Sequence, residues 1–155
     1  MAVLPAGSAV PRFTLGTAEG GKFTQDAIAG ERTLLVFYPA AFSPVCTDQL
    51  QLLDEVSDDL AAKGVSIVAV SCDASPSQVA FAEKLGVGIR QLSDFEPKGD
   101  ASRAFGVYFT PAGISTRALV ITADDGTIAW SWEGEHPGVL PPVSLILDAI
   151  AELGW

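Results

Sequence analysis

Apolar positions along the chain follow two rhythms. "TLLVFY" (Thr33–Tyr38) and "GVSIVAVS" (Gly64–Ser71) are continuous β-branched and aliphatic runs, the pattern of parallel strands buried on both faces. Between them Leu50, Leu53, Val56 and Leu60 recur at helical spacing before Gly64, which predicts one amphipathic helix stopped by a glycine. The opening "FTLGTAEGGKFTQ" alternates on either side of "EGG" and predicts a β-hairpin. "SPSQ" sets Ser75 as an N-cap, Pro76 at the first helical position and Gln78 as the far side of a capping box. The helix it opens runs to Gly86. "RALVITADDGTIAWSW" predicts two strands joined by an Asp125–Gly126 turn, and "PPVSLILDAIAEL" predicts a closing amphipathic helix. The expected fold is α/β: a central mixed β-sheet flanked by helices, with an N-terminal β-hairpin. No internal repeat or linker interrupts this order, so residues 1–155 are expected to form a single domain.

Composition narrows the functional classes. The chain is 48% hydrophobic and 18% charged, a globular balance. Its formal net charge is −10 and no Lys/Arg stripe relieves it, which argues against a nucleic-acid partner. "LLVFYPAAF" and "VSIVAV" are far shorter than a membrane span. "MAVLPAGSAVPRF" carries no basic region or sustained apolar core of a signal peptide. With two cysteines, Cys46 and Cys72, the expectation is a reducing cytoplasm. One histidine, His136, and two separated cysteines do not make a metal-ligand set, so no metal is expected.

The candidate chemistry sits in "FYPAAFSPVC" (Phe37–Cys46). Cys46 lies just past the C-terminal end of a central strand, where ligands bind in open α/β sheets. Ser43 followed by Pro44 reads as a helix start, with Ser as N-cap and Pro at the first helical position. Cys46 is then third in the first turn, where free N–H groups and the helix dipole favour a thiolate over a thiol. The Ser43 hydroxyl can approach the sulfur or its substrate, and Pro39 stiffens the turn. Asp48 and the net charge oppose a thiolate, so an arginine from elsewhere must supply positive charge. The plainer reading is that Cys46 is a small buried hydrophobe. Residues alone leave both open.

The spacing Pro39-x-x-x-Ser43-x-x-Cys46 resembles the peroxiredoxin signature, in which a proline, a threonine or serine and the peroxidatic cysteine keep these intervals. "VSIVAVSCDASPSQVAFAEKLGV", "LSDFEPKGDASRAFGVY" and "RALVITADDGTIAW" follow in the family's order, so the resemblance covers nearly the whole chain. It is most similar to the one-cysteine subgroup typified by alkyl hydroperoxide reductase E. The resemblance implies a thioredoxin-like fold and a thiol-dependent peroxidase for hydrogen peroxide and organic hydroperoxides. It also implies that no cofactor is needed. Cys46 would be the peroxidatic cysteine cycling through sulfenic acid, Ser43 the hydroxyl that binds peroxide, and Pro39 the shielding proline. Arg117 would hydrogen-bond thiolate and substrate, and Gln49 would stand where a Glu or Gln positions that arginine. An external thiol or thiol protein would be the reductant, and a homodimer or larger oligomer is expected.

Two departures bear on mechanism. Ser43 replaces the commoner threonine and lacks the methyl that fixes the rotamer, so looser hydroxyl placement is expected. Gln51 stands where a resolving cysteine would follow Cys46, and the C-terminal tail has none. This implies a one-cysteine cycle. The alternative is a two-cysteine cycle through a Cys46–Cys72 disulfide, with Cys72 on the same sheet edge. Other readings are a redox-inert thioredoxin-like binding module, or a cysteine hydrolase with His136 as base. Trp130 and Trp132 alternate onto one strand face as core or dimer contacts. Arg32, Arg90 and Arg103 are expected at the surface or in salt bridges.

Overall fold

The computed structural model describes residues 2–155. Nine strands and five α-helices follow one another: β1 (Thr14–Gly16), β2 (Lys22–Thr24), β3 (Arg32–Phe37), α1 (Pro44–Glu55), α2 (Ser57–Ala62), β4 (Val65–Ser71) and α3 (Ser75–Leu85). β5 (Arg90–Ser93), α4 (Asp100–Ala104), β6 (Tyr108–Phe109), β7 (Ile114–Ser115), β8 (Ala118–Thr122), β9 (Ile128–Glu133) and α5 (Val143–Glu152) complete the chain. One mixed sheet has the order β2-β1-β5-β4-β3-β8-β9. β3 runs parallel to β4 and antiparallel to β8, and the β1–β2 hairpin extends the sheet at its far edge. This is the mixed α/β sheet that the apolar runs and hairpin predict, in the thioredoxin-like arrangement that the resemblance implies.

The two uninterrupted apolar runs feed both faces of the sheet. Leu34, Val36, Leu119 and Ile121 join Leu50, Leu53, Phe81 and Ile146 in one core cluster, beneath α1, α2, α3 and α5. Leu35, Phe37, Val68, Val70 and Val120 alternate to the other face and meet Phe13, Phe23, Ala101 and Phe105. That second face is closed by α4 and the N-terminal segment. Trp130 and Trp132 both pack, half-buried, on the first cluster.

Several local expectations fail for identifiable reasons. The single helix predicted between β3 and β4 is two, because Val56 (φ −107°, ψ 4°) leaves helical geometry between α1 and α2. Ser75 and Gln78 form no capping box. Ala74 is the N-cap, and the Gln78 side chain turns inward to donate to Ser71 Oγ and the Leu92 carbonyl, both at 2.8 Å. Burial of a polar group obliges it to find such partners. Gly86 does end α3, in the left-handed conformation (φ 69°) that glycine adopts without strain.

Candidate active site

Cys46 and Arg117 meet because two neighbouring strands deliver them. β3 ends at Phe37 and leads into the turn before α1, while Arg117 immediately precedes β8, the antiparallel partner of β3. Ser43 is the N-cap of α1, Pro44 occupies its first position and Cys46 its third. The Ser43 side chain makes no capping hydrogen bond. By helix geometry the first-turn N–H groups, that of Cys46 included, have no acceptor four residues back within the helix, and the Ser43 side chain does not take one up.

Arg117 is 2% exposed and Cys46 0%. From this buried position the guanidinium donates in three directions: Nη2 to Cys46 Sγ at 3.1 Å, Nη1 to Gln49 Oε1 at 2.6 Å, and Nε to the Pro137 carbonyl at 2.7 Å. Two of these partners are neutral oxygens. The third is the Cys46 sulfur, which faces the guanidinium directly.

The Ser43 hydroxyl is already committed as a donor, to the Ala40 carbonyl at 2.9 Å. Its lone pairs stay free to accept. That bond also replaces the missing methyl as the constraint on its rotamer, so the looser placement expected of serine is offset. Pro39 lies within the same turn, between buried Tyr38 and Ala40. Tyr38 belongs to the core cluster that contains Cys46 and donates to Gln91 Oε1 at 2.8 Å. Burial holds its hydroxyl far above the usual phenol range, so it remains a neutral donor.

The sequence-predicted residues Cys46, Ser43, Pro39 and Arg117 thus lie in one neighbourhood, with Gln49 on the arginine. His136 is exposed and does not bond the sulfur. Its Nδ1 accepts from Gly138 N at 3.2 Å, and the adjoining Pro137 carbonyl is what reaches Arg117. No side-chain pattern marks Pro137 as functional, because it acts through its backbone. A groove of about 250 Å³ runs beside Arg117, walled by Phe109, Ile114, Gly134 and Pro137. Among the described residues, no group of three His, Cys, Asp or Glu side chains is placed to hold a metal.

Residues 6–131 match the model of the AhpC/TSA family. Alkyl hydroperoxide reductase E of Mycobacterium tuberculosis is 31% identical over 152 residues, covering 97% of this chain and 99% of that protein. The chain belongs to the AhpC/TSA family. Another relative, Peroxiredoxin Bcp of Escherichia coli, is 35% identical over 91 residues, 59% of this chain and 58% of that protein. The crystal structure of Enterococcus faecalis AhpC superposes with a TM-score of 0.85 at 23% identity, covering 99% of this chain and 93% of that one. It shares the fold. As a peroxiredoxin the protein is a thiol-dependent peroxidase, an oxidoreductase that reduces peroxides.

In this peroxiredoxin the second cysteine occupies different surroundings. Cys72 follows β4, where even-numbered Val68 and Val70 belong to the cluster opposite that of Cys46. It therefore continues toward the face closed by α4, although it lies at the sheet edge expected from sequence. Both cysteines are buried and free. Burial, then the nearby Asp94 carboxylate, pushes the Cys72 thiol up from 9.0 to about 11. Alkylation of Cys72 in the native protein should accordingly stay slow through neutral pH and rise only toward pH 11. The linkage follows in sign. Keeping this thiol protonated contributes stability that is fully present below pH 9.0 and lost as pH rises through about 11. Urea midpoints of wild type and Cys72→Ser across that window test it. The wild type should lose more of its midpoint than the variant; parallel curves would contradict the assignment.

Proposed function

We propose that Cys46 is the peroxidatic nucleophile of this peroxiredoxin, working in a one-cysteine cycle with an external thiol. The observation that carries the reading is Arg117 Nη2 at 3.1 Å from a fully buried Cys46 sulfur. The thiolate attacks the terminal oxygen of a hydrogen peroxide or organic hydroperoxide molecule. The S–O bond forms as the O–O bond breaks, and hydroxide or alkoxide leaves to take a proton from water. Cys46 is oxidised to sulfenic acid and the peroxide is reduced by the same electron pair. Negative charge spreads over both oxygens as the bond stretches. The Arg117 guanidinium and the Cys46 N–H donate to it, while Ser43 Oγ accepts the peroxide O–H and so orients it. Pro39 shields the turn from bulk water. No step calls on a metal, haem or flavin.

One external thiol then condenses with the sulfenic acid, releasing water and forming a mixed disulfide. A second thiol displaces Cys46. The opposite facing of Cys72 and its protonated state support external rather than internal resolution. The acidic surface and paucity of cysteine support a cytoplasmic setting, without nucleic-acid or membrane partners; among the described residues no helix is long and apolar enough to cross a membrane. Self-association into a homodimer or larger oligomer belongs to the same reading, and half-exposed Phe42 and Phe109 supply apolar surface for it.

Peptide mass mapping after one equivalent of hydrogen peroxide, with dimedone present, tests the cycle. A dimedone adduct on Cys46 is expected. Loss of two hydrogens, with the Cys46 and Cys72 peptides linked, would overturn the one-cysteine assignment in favour of the disulfide route.

A further inference from the structure

We infer that Asp73 is a positioning residue for peroxide reduction, acting through the backbone of the turn that carries Pro39 and Ser43. The inference rests on the assignment of Cys46 and Ser43 above. Asp73 lies two residues past β4, and its Oδ2 accepts the Ala41 N–H at 2.8 Å. Ala41 stands between Ala40, whose carbonyl fixes the Ser43 hydroxyl at 2.9 Å, and Phe42. A carboxylate on a backbone N–H is a charge-assisted hydrogen bond. Here it ties the turn after β3 to the end of β4 across the sheet edge.

The turn needs such a tie. Phe42 has φ 67°, the one positive φ among the described non-glycine residues. A bulky side chain rarely adopts that region and keeps it only where surrounding contacts over-determine it. Two contacts do so. The Phe42 ring packs at a tilt of 53° against Phe81 with centroids 5.1 Å apart, and Asp73 holds the N–H of the preceding residue. Asp73 is itself fixed. Its carbonyl accepts from Ser93 Oγ at 2.6 Å, and its N–H donates to Ser71 Oγ at 3.4 Å.

The path runs from the ends of β4 and β5 through Asp73 to Ala41, and so to the Ser43 hydroxyl and the start of α1. Without the carboxylate the turn can relax at Phe42, and the Ala40 carbonyl and the Ser43 hydroxyl it holds shift together, while Cys46 stays held by Arg117. Displacement of about 1 Å in groups that orient a reacting molecule costs rates of about 100-fold. A bond accepted from a backbone N–H does not require charge, so an amide oxygen at the same place can replace it.

The experiment uses the whole chain carrying Asp73→Ala, Asp73→Asn or Asp73→Glu. Two rates are measured at Cys46: oxidation by hydrogen peroxide in stopped flow, and alkylation by iodoacetamide followed by peptide mapping. Alkylation needs the thiolate but not the peroxide-orienting geometry. Asp73→Ala is expected to slow oxidation by about 10- to 100-fold and leave alkylation unchanged. Asp73→Asn is expected to restore oxidation. Asp73→Glu keeps the charge and displaces the acceptor, so it should resemble Ala, and it carries the comparison if the Ala variant does not fold. Wild-type oxidation in Asp73→Ala or Asp73→Glu would overturn the inference. So would an Asn variant as slow as Ala, or a parallel fall in both rates. A wild type whose Cys46 is not oxidised would instead remove the nucleophile assignment itself.

Discussion

Arg117→Met should slow the reaction of this peroxiredoxin with hydrogen peroxide by about 100- to 1,000-fold, the loss typical of one removed oxyanion-stabilising donor. Methionine keeps much of the buried volume but removes the charge and all three hydrogen bonds, to Cys46 Sγ, Gln49 Oε1 and the Pro137 carbonyl. The contact to sulfur and peroxide strengthens as negative charge develops on the oxygens, so its loss falls on the transition state more than on binding. Two acceptors are also left without their donor, at about 1–3 kcal/mol each where they stay dry. The variant is therefore expected to fold with reduced stability, and circular dichroism separates that effect from chemistry. Arg117→Lys keeps the charge without the fork, so it should recover only part of the rate. Unchanged second-order kinetics in Arg117→Met would mean that another cation serves the sulfur.

Cys46→Ser should abolish thiol-dependent peroxide turnover, while Cys72→Ser should retain it. A serine hydroxyl at position 46 can accept the same Arg117 hydrogen bond, so the pocket survives. It cannot cycle through a sulfenic acid, because that chemistry belongs to sulfur. Cys72 cannot take over: its thiol is held protonated to about pH 11 and it follows a strand register facing the other cluster. Peroxide consumption with excess small thiol reads both variants. Residual turnover in Cys46→Ser, or its loss in Cys72→Ser with the fold intact, would redistribute the roles of the two sulfurs.

Much of this site is legible in the amino-acid sequence alone. The apolar runs placed β3 and β4, and Ser43–Pro44 placed the start of α1, because an N-cap and a first-turn proline have few alternative homes. Position in the first helical turn then placed Cys46. Arg117 and Gln49 needed the family resemblance, since nothing local says that residues far apart in sequence share one hydrogen-bond network. What sequence did not disclose is mostly backbone or short. β5, α4 and the β6–β7 pair span few residues each and carry no long periodicity. The Pro137 and Ala40 carbonyls have no side-chain signature. Gln78 fits a capping-box pattern, yet tertiary burial recruits its amide to Ser71 and Leu92 instead. Arg90 and Arg103 are exposed, as expected, and Arg32 is half-buried; what no spacing rule encodes is that the three lie over the rings of Phe23, Tyr108 and Trp155 respectively.

The most direct test of Cys46 as the nucleophile is stopped-flow tryptophan fluorescence during a single exposure to hydrogen peroxide. Trp130 and Trp132 pack against the cluster that holds Cys46, so a change at the sulfur lies within reach of their emission. Wild type and Cys72→Ser should both show a fluorescence change whose rate rises linearly with peroxide concentration, and Cys46→Ser should show none. The same change persisting in Cys46→Ser would contradict the account.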